Sequence, residues 1–299
     1  MSAWHHSMSR GVARRCPRRR PHATVLVILL ALLLTHPPAA TAGGAVGWQR
    51  LAPGMELRTL PVSNPGVAGE ASVTVLRIDP LLWDLEFAGI SQSGEAARTA
   101  REWCASRKLT ACINAGMFAT DYKTHLGYVR FQEHEHGTRV NHYLSVAAFG
   151  PKGDTGLPRF RIFDLDAPGV TMQAILDDYA SAIQNLRLIK GPGENRWTQQ
   201  EKKWSEAALG EDKAGRILFI FCRSPFSMYD LNQELLASDI GLVAAQHLEG
   251  GPEAQLYLRA GDIEREMFGS HGTSAVKDKE GNTVAWPVPN ILGVRPARR

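Results

Sequence analysis

Several familiar signatures are missing from this sequence. It has no glycine-rich phosphate loop of either common spacing, no G-x-S-x-G nucleophile elbow and no H-E-x-x-H zinc helix. Those absences set aside the usual nucleotide-binding, serine-hydrolase and zinc-protease readings, and no cofactor is expected. There is no internal repeat and no low-complexity block. Only one long apolar run occurs, at residues 23–34. A spanning helix needs about 20 apolar residues, so this run is too short.

Acid is absent from positions 1–42, where Arg10, Arg14, Arg15, Arg18, Arg19 and Arg20 precede that apolar run. Ala40-Thr41-Ala42 follows it as an A-x-A cleavage site. This order predicts a secretory signal peptide over 1–42, cleaved before Gly43. The expected product is secreted or periplasmic and keeps no membrane span. The formal charge of the whole chain is +4, but the leader holds six of its 34 basic residues and no acid. The remainder has 28 basic and 30 acidic residues, or −2. Nothing in that balance calls for nucleic acid, and nothing in the sequence bears on oligomeric state.

Cysteine is scarce too. Beyond the leader stand Cys104, Cys112 and Cys222. A helix-to-strand disulfide between the first two is one reading; three buried thiols are the other.

What is present reads as a strand-rich α+β domain. Alternating or apolar runs predict strands over 53–60, 71–79, 82–90, 109–113, 127–131, 142–149, 159–163, 183–190, 216–222, 242–249 and 254–258. Helices are expected over 95–107, over 172–180 and from Ser227, the last carrying Leu231, Leu235 and Leu236 inward. Strands outnumber helices, and short turns join several of them. The expected organisation is a leader (1–42), a lead-in (43–70) and one domain (71–299).

Candidate chemistry gathers at strand ends. Glu249 and Glu253 flank Gly250-Gly251-Pro252, where glycines let a backbone turn sharply beside a ligand. A carboxylate there can stabilise the positive charge that develops on an anomeric carbon. His247 shares the period of Glu249. Asn114 ends an apolar strand at Ala115-Gly116 and offers an amide to a hydroxyl or phosphate. Arg187, Lys190 and Arg196 surround Gly191-Pro192-Gly193 and can grip phosphate. Trp197, Trp204 and Tyr229 can stack on a sugar or fill the core. Glu133-His134-Glu135-His136 reads mostly as a polar loop, with a metal site as the alternative.

In this order, the pieces resemble the phosphodiester glycosidase family. Ile113-Asn114-Ala115-Gly116-Met117-Phe118 looks like its Asn-Gly/Ala-Gly-Phe/Met-Phe element, and Ser205-Glu206-Ala207-Ala208-Leu209-Gly210 its Ser-Arg-Thr-Ala-Ile-Gly element. His247-Leu248-Glu249-Gly250-Gly251-Pro252-Glu253 falls on Asn-Leu-Asp-Gly-Gly-Gly-Ser. The resemblance covers roughly 71–258. Glu206 stands where the family has arginine, Glu249 for its aspartate, His247 for asparagine and Glu253 for serine. Near Gln184-Asn185-Leu186-Arg187 the family has Gln-Ser-Gly-Pro, and Arg187 is a candidate substitute for the missing guanidinium.

The resemblance implies a strand-rich mixed sheet with a few packed helices and hydrolysis of a sugar-1-phosphodiester or related glycan linkage. Glu249, Asn114 and Glu253 would be catalytic. His247, Gly250, Gly251, Gln184, Asn185 and Arg187 would bind substrate, with no metal. Two other functions fit the altered motif. One is a non-catalytic glycan-binding envelope protein that keeps the fold. The other is a metal-dependent hydrolase using His134 and His136.

Overall fold

Alternation along the strand Ile217–Phe226 sets the layers of the fold. Ile217, Phe219 and Phe221 face one core, while Leu218, Ile220 and Cys222 face another, as the two-residue period of a strand requires. A strand buried on both faces reads as an unbroken apolar run, which is why its central place is legible in the sequence. The computed structural model describes residues 47–62, 72–137, 139–270 and 282–298. All lie in the unit Gly44–Arg299, and the predicted leader, 1–42, falls outside the described residues.

The domain is α+β, and its described strands form three sheets. The first runs Gln49–Ala52, Met55–Pro61, Ser72–Ile78, Ile217–Phe226, Trp204–Asp212, Leu242–Gly250, Arg187–Ile189. The second runs His134–Gly137, Tyr128–Phe131, Tyr179–Asn185, Ser145–Pro151, Phe160–Asp164. The third runs Ile263–Phe268, Gln255–Ala260, Ala111–Asn114, Asn290–Pro296, Trp83–Gly89. Every described pairing is antiparallel. All three sheets share one core, to which they contribute Leu76 and Phe219, Val129 and Ile183, and Ile113 and Leu292 respectively. On the other face of the first sheet, Leu188 and Ile220 join Met228, Leu231 and Leu235 of the helix Met228–Ala237. Truncating the fully buried Leu231 to alanine would cost about 2–5 kcal/mol.

Several boundaries differ from the sequence expectation. The helix expected over 95–107 is Ala100–Arg107. Thr99 caps it: its hydroxyl accepts from Glu102 N, and the Glu102 carboxylate accepts from Thr99 N. The residues before the cap, from Gly94 to Arg98, are not helical, and Arg98 pairs with Val288. The strand expected over 183–190 is two strands in two sheets, Tyr179–Asn185 and Arg187–Ile189, and the chain changes sheet at Leu186. The polar segment read as a loop is the edge strand His134–Gly137. None of its residues is buried, so it shows no apolar alternation. Residues 49–61, part of the expected lead-in, form two strands of the first sheet. The closing strands Ile263–Phe268 and Asn290–Pro296 were not expected.

Cys104 and Cys112 form the helix-to-strand disulfide. The Cys222 thiol is buried and donates to Ser224 O at 3.4 Å. No helix among the described residues is long and apolar enough to cross a membrane.

Candidate active site

Asn114 ends a strand of the third sheet and Glu249 lies near the end of a strand of the first. One short turn, Gly251–Glu253, brings the two ends together. The buried Asn114 amide fixes that turn. Its Nδ2 donates to Glu253 O at 3.0 Å, and its Oδ1 accepts from Gln255 N at 2.6 Å. Asn114 therefore positions the acidic turn with both ends of its side chain.

Glu206 and His247 lie on neighbouring strands. Opposite Ala207 and Ala208 stand Glu249 and His247, so Leu248 is the extra residue of a bulge. Leu248 turns into the shared core, while His247 packs edge-on against Trp204. Glu206 is fully buried, and its Oε1 lies 2.6 Å from His247 Nδ1. Its Oε2 accepts from Trp204 Nε1 at 3.0 Å. Burial favours a neutral imidazole, but the charge and hydrogen bond of Glu206, helped by Glu249, outweigh it and raise the pKa of His247. Burial pushes Glu206 above the usual carboxylate range, against the lowering by His247 and Trp204.

Glu249 is half-buried. Its withdrawal from water pushes its carboxyl up to about 7, and nearby Glu253 and Glu206 add to the rise. The His247 charge and the Gly250 N–H, which donates to it at 3.1 Å, only partly offset this. A carboxyl poised near neutrality can deliver a proton to a leaving group and take one back.

Two tyrosines that the sequence did not single out stand by the acids. Tyr122 OH donates to Glu253 Oε1 at 3.4 Å. Desolvation raises its pKa, and the charges of Glu253 and Glu249 raise it further. The pKa of Tyr143 rises by desolvation and by the charge of Glu249. The loop carrying Tyr122 is held by Asp121, which accepts from Lys123 N, Thr124 N and Thr124 Oγ1 at 2.7–2.9 Å. The glycines of the turn have structural work. A Cβ on Gly250 would sit 2.5 Å from Trp204 Cδ1, and Gly251 has φ +67°.

Other expected binding residues have protein partners. Gln184 donates to Asn141 O and Tyr143 O at 3.1 and 2.6 Å, and so fixes the loop that carries Tyr143. Asn185 is buried and donates to Ala115 O at 3.0 Å. It also packs on Gly116, where a Cβ would lie 2.1 Å from Asn185 Oδ1. Arg187 is paired with Asp164 at 3.3 Å and Asp166 at 2.8 Å, and Lys190 with Asp166 at 3.1 Å. Arg196 pairs with Glu194, and Trp197 Nε1 donates to Arg187 O.

His134 and His136 stack with ring centres 6.2 Å apart. His134 Nε2 bonds to Ser91 Oγ and His136 Nε2 to Lys123 O. Among the described residues no three His, Cys, Asp or Glu side chains are grouped to hold a metal ion. A separate cleft of about 610 Å³, lined by Trp83, Phe87, Arg107 and Arg159 among others, contains none of the glutamates above.

The strand ends joined by Asn114, with the acids beyond them, belong to a glycosidase fold. The chain belongs to the phosphodiester glycosidase family, whose sequence model matches residues 107–295. The catalytic domain of zebrafish N-acetylglucosamine-1-phosphodiester alpha-N-acetylglucosaminidase, solved auto-inhibited by its pro-peptide, has a similar fold. Its TM-score is 0.58 at 15% identity, over 82% of this chain and 85% of that one. A hypothetical protein from Synechocystis is similar with a TM-score of 0.51 at 15% identity, over 80% of this chain and 61% of that one. No curated protein matches in sequence.

Proposed function

We propose that this protein is an exported hydrolase that breaks the bond between an anomeric carbon and its oxygen substituent, in a sugar-1-phosphodiester or a related glycan linkage. Glu249 protonates the departing oxygen, and its carboxylate then stabilises charge on the sugar. Water supplies the hydroxyl that ends on the anomeric carbon. Glu253 accepts the proton that water releases, and that proton returns to Glu249 through solvent. His247, held at Nδ1 by Glu206, leaves Nε2 for a substrate oxygen. Asn114 acts as a positioning residue through the turn.

The observation that carries this reading is the half-buried Glu249, raised to about 7, beside a buried Glu206–His247 pair on a family fold. Family membership alone does not assign the activity; the acid at the end of the strand supports this reading of it. The test is a hydrolysis screen of glycosides and sugar phosphodiesters with wild type and Glu249→Gln. Turnover by wild type, reduced at least a hundredfold in the variant, is expected. Equal turnover by both would remove Glu249 from the reaction.

Export has separate support. The Arg-rich, apolar, Ala-Thr-Ala order of residues 10–42 has the form of a cleaved leader. The disulfide Cys104–Cys112 suits an oxidising compartment. The N-terminal residue of the protein recovered outside the cytoplasm tests this, with Gly43 expected and Met1 contradicting it.

A further inference from the structure

The cleft of about 610 Å³ stands apart from the acidic turn. It lies between the edge strand Trp83–Gly89 of the third sheet and the face of the second sheet. None of Glu206, His247, Glu249 and Glu253 lines it, and its volume suits a small organic molecule.

Its floor is apolar. Phe131 and Phe149 each stand opposite Ser181, and Phe160 stands opposite Phe149. Directly opposed residues of antiparallel strands share a face, so the three rings make one row across the second sheet. Trp83 and Phe87 meet that row from the third sheet, within the shared core.

Its rim is cationic. Among the described residues, the lining carries four guanidiniums, of Arg107, Arg159, Arg295 and Arg298, and two carboxylates, of Asp84 and Glu86. Arg159 lies 3.8 Å from Asp84, and Arg295 pairs with Glu86. With each carboxylate matched once, an excess of two positive charges remains.

The strand edge adds donors. Ala297 N donates to Leu82 O at 2.9 Å and Ile90 N to Pro289 O at 3.0 Å, in the same register that pairs Asp84 with Arg295. Hydrogen-bonded pairs alternate along an antiparallel ladder. The even-numbered residues from Leu82 to Ile90 therefore bond to Asn290–Pro296, and Leu85 and Phe87 turn their N–H groups away from it, to the cleft side. Gly89 follows the same rule, and its N–H donates to Gln92 Oε1 at 3.2 Å.

We infer that this cleft is a second binding site, for an anionic amphiphile. An aryl or alkyl body lies on the phenylalanine row, and a phosphate or carboxylate head meets the arginine rim and the strand-edge N–H groups. A neutral apolar ligand would leave the excess charge unmatched. A bare inorganic anion would leave the floor unfilled.

Calorimetric titration of the purified protein with 1-naphthyl phosphate, 1-naphthoate, 1-naphthol and inorganic phosphate tests this. At least one naphthyl anion should bind about tenfold tighter than both naphthol and inorganic phosphate. Comparison of the two naphthyl anions identifies the preferred head. Added salt should weaken the anions and spare naphthol. Arg107→Gln/Arg298→Gln should weaken the anions about tenfold, whereas Glu249→Gln should bind them as wild type does. Naphthol or inorganic phosphate binding as tightly as either anion would overturn the inference. So would anion affinity indifferent to salt, anion affinity unchanged in an arginine variant that melts cooperatively, loss of binding in Glu249→Gln, or no saturable binding of either anion.

Discussion

Glu206 Oε1 lies 2.6 Å from His247 Nδ1 inside the first sheet, on adjacent strands. The two residues depart from the family pattern 41 positions apart, and each departure looks damaging by itself. Together they form one buried pair. A glutamate in place of arginine would leave an uncompensated charge, whose burial costs several kcal/mol. The histidine supplies the compensation, and Trp204 Nε1 donates to the other oxygen of the carboxylate.

The pairing makes His247 a reporter of Glu206. Glu206 raises the imidazole pKa against the lowering effect of burial, so Glu206→Gln should lower its midpoint. An NMR titration of the His247 ring checks this. Because the folded pKa of His247 is raised, its stabilising contribution is complete below about 6.5. It fades as pH rises through the folded value, and Glu206→Gln should abolish that pH-dependent loss.

Glu249 moves stability in the same pH direction, but as a cost that its removal relieves. Its folded pKa of about 7 stands above the ordinary 4.5. Both states are protonated at about pH 4. Between 4.5 and 7 the unfolded chain releases its proton first, so stability falls as pH rises. Glu249→Gln should therefore unfold at higher denaturant, by up to about 3 kcal/mol at about pH 8 and by almost nothing at about pH 4. Partial exposure of the side chain screens and reduces the upper figure. Urea unfolding at the two pH values measures it.

Much of the frame was legible in the sequence, and the reasons are physical. Residues 217–222 alternate between two buried cores and stand out as a central strand. Ser227 caps its helix through Asp230 N at 3.1 Å, a local rule that needs no tertiary context. The Gly-Gly turn after Glu249 was visible because sharp turns need glycine. What stayed hidden depends on distant partners. Asn114 has the look of a ligand-binding amide, but its partners Glu253 O and Gln255 N lie about 140 residues away. Arg187 has the look of a phosphate grip until Asp164 and Asp166 close on it. Tyr122 stands in a loop with no periodic signal, Tyr143 falls in the part of the expected strand 142–149 that precedes the observed Ser145–Pro151, and only the folded chain brings both under the charge of Glu249.

Asn114→Ala removes both hydrogen bonds that fix the turn and leaves the buried Gln255 N–H without its acceptor. A loss of about 2–3 kcal/mol in stability is expected, with a lower melting temperature in a thermal scan. Any fall in activity should exceed what unfolding explains, because Glu253 moves with the turn.

Opening the Cys104–Cys112 bridge releases a loop with a sequence separation of eight. Loop-closure entropy for so short a loop is about 2.5 kcal/mol. A Cys104→Ala/Cys112→Ala variant should lose roughly that much by denaturant titration. Its kinetic constants should change less than its stability, since the helix Ala100–Arg107 reaches the acidic turn only through Ala100 N, which donates to Gln255 Oε1 at 2.8 Å.

The pH dependence of kcat/KM on an alkyl glycoside, whose leaving group must take up a proton, tests the role of Glu249 most directly. If Glu249 is the proton donor, the rate falls as pH rises through about 7. A rate that stays level across that range, or an undiminished rate in Glu249→Gln, would contradict it.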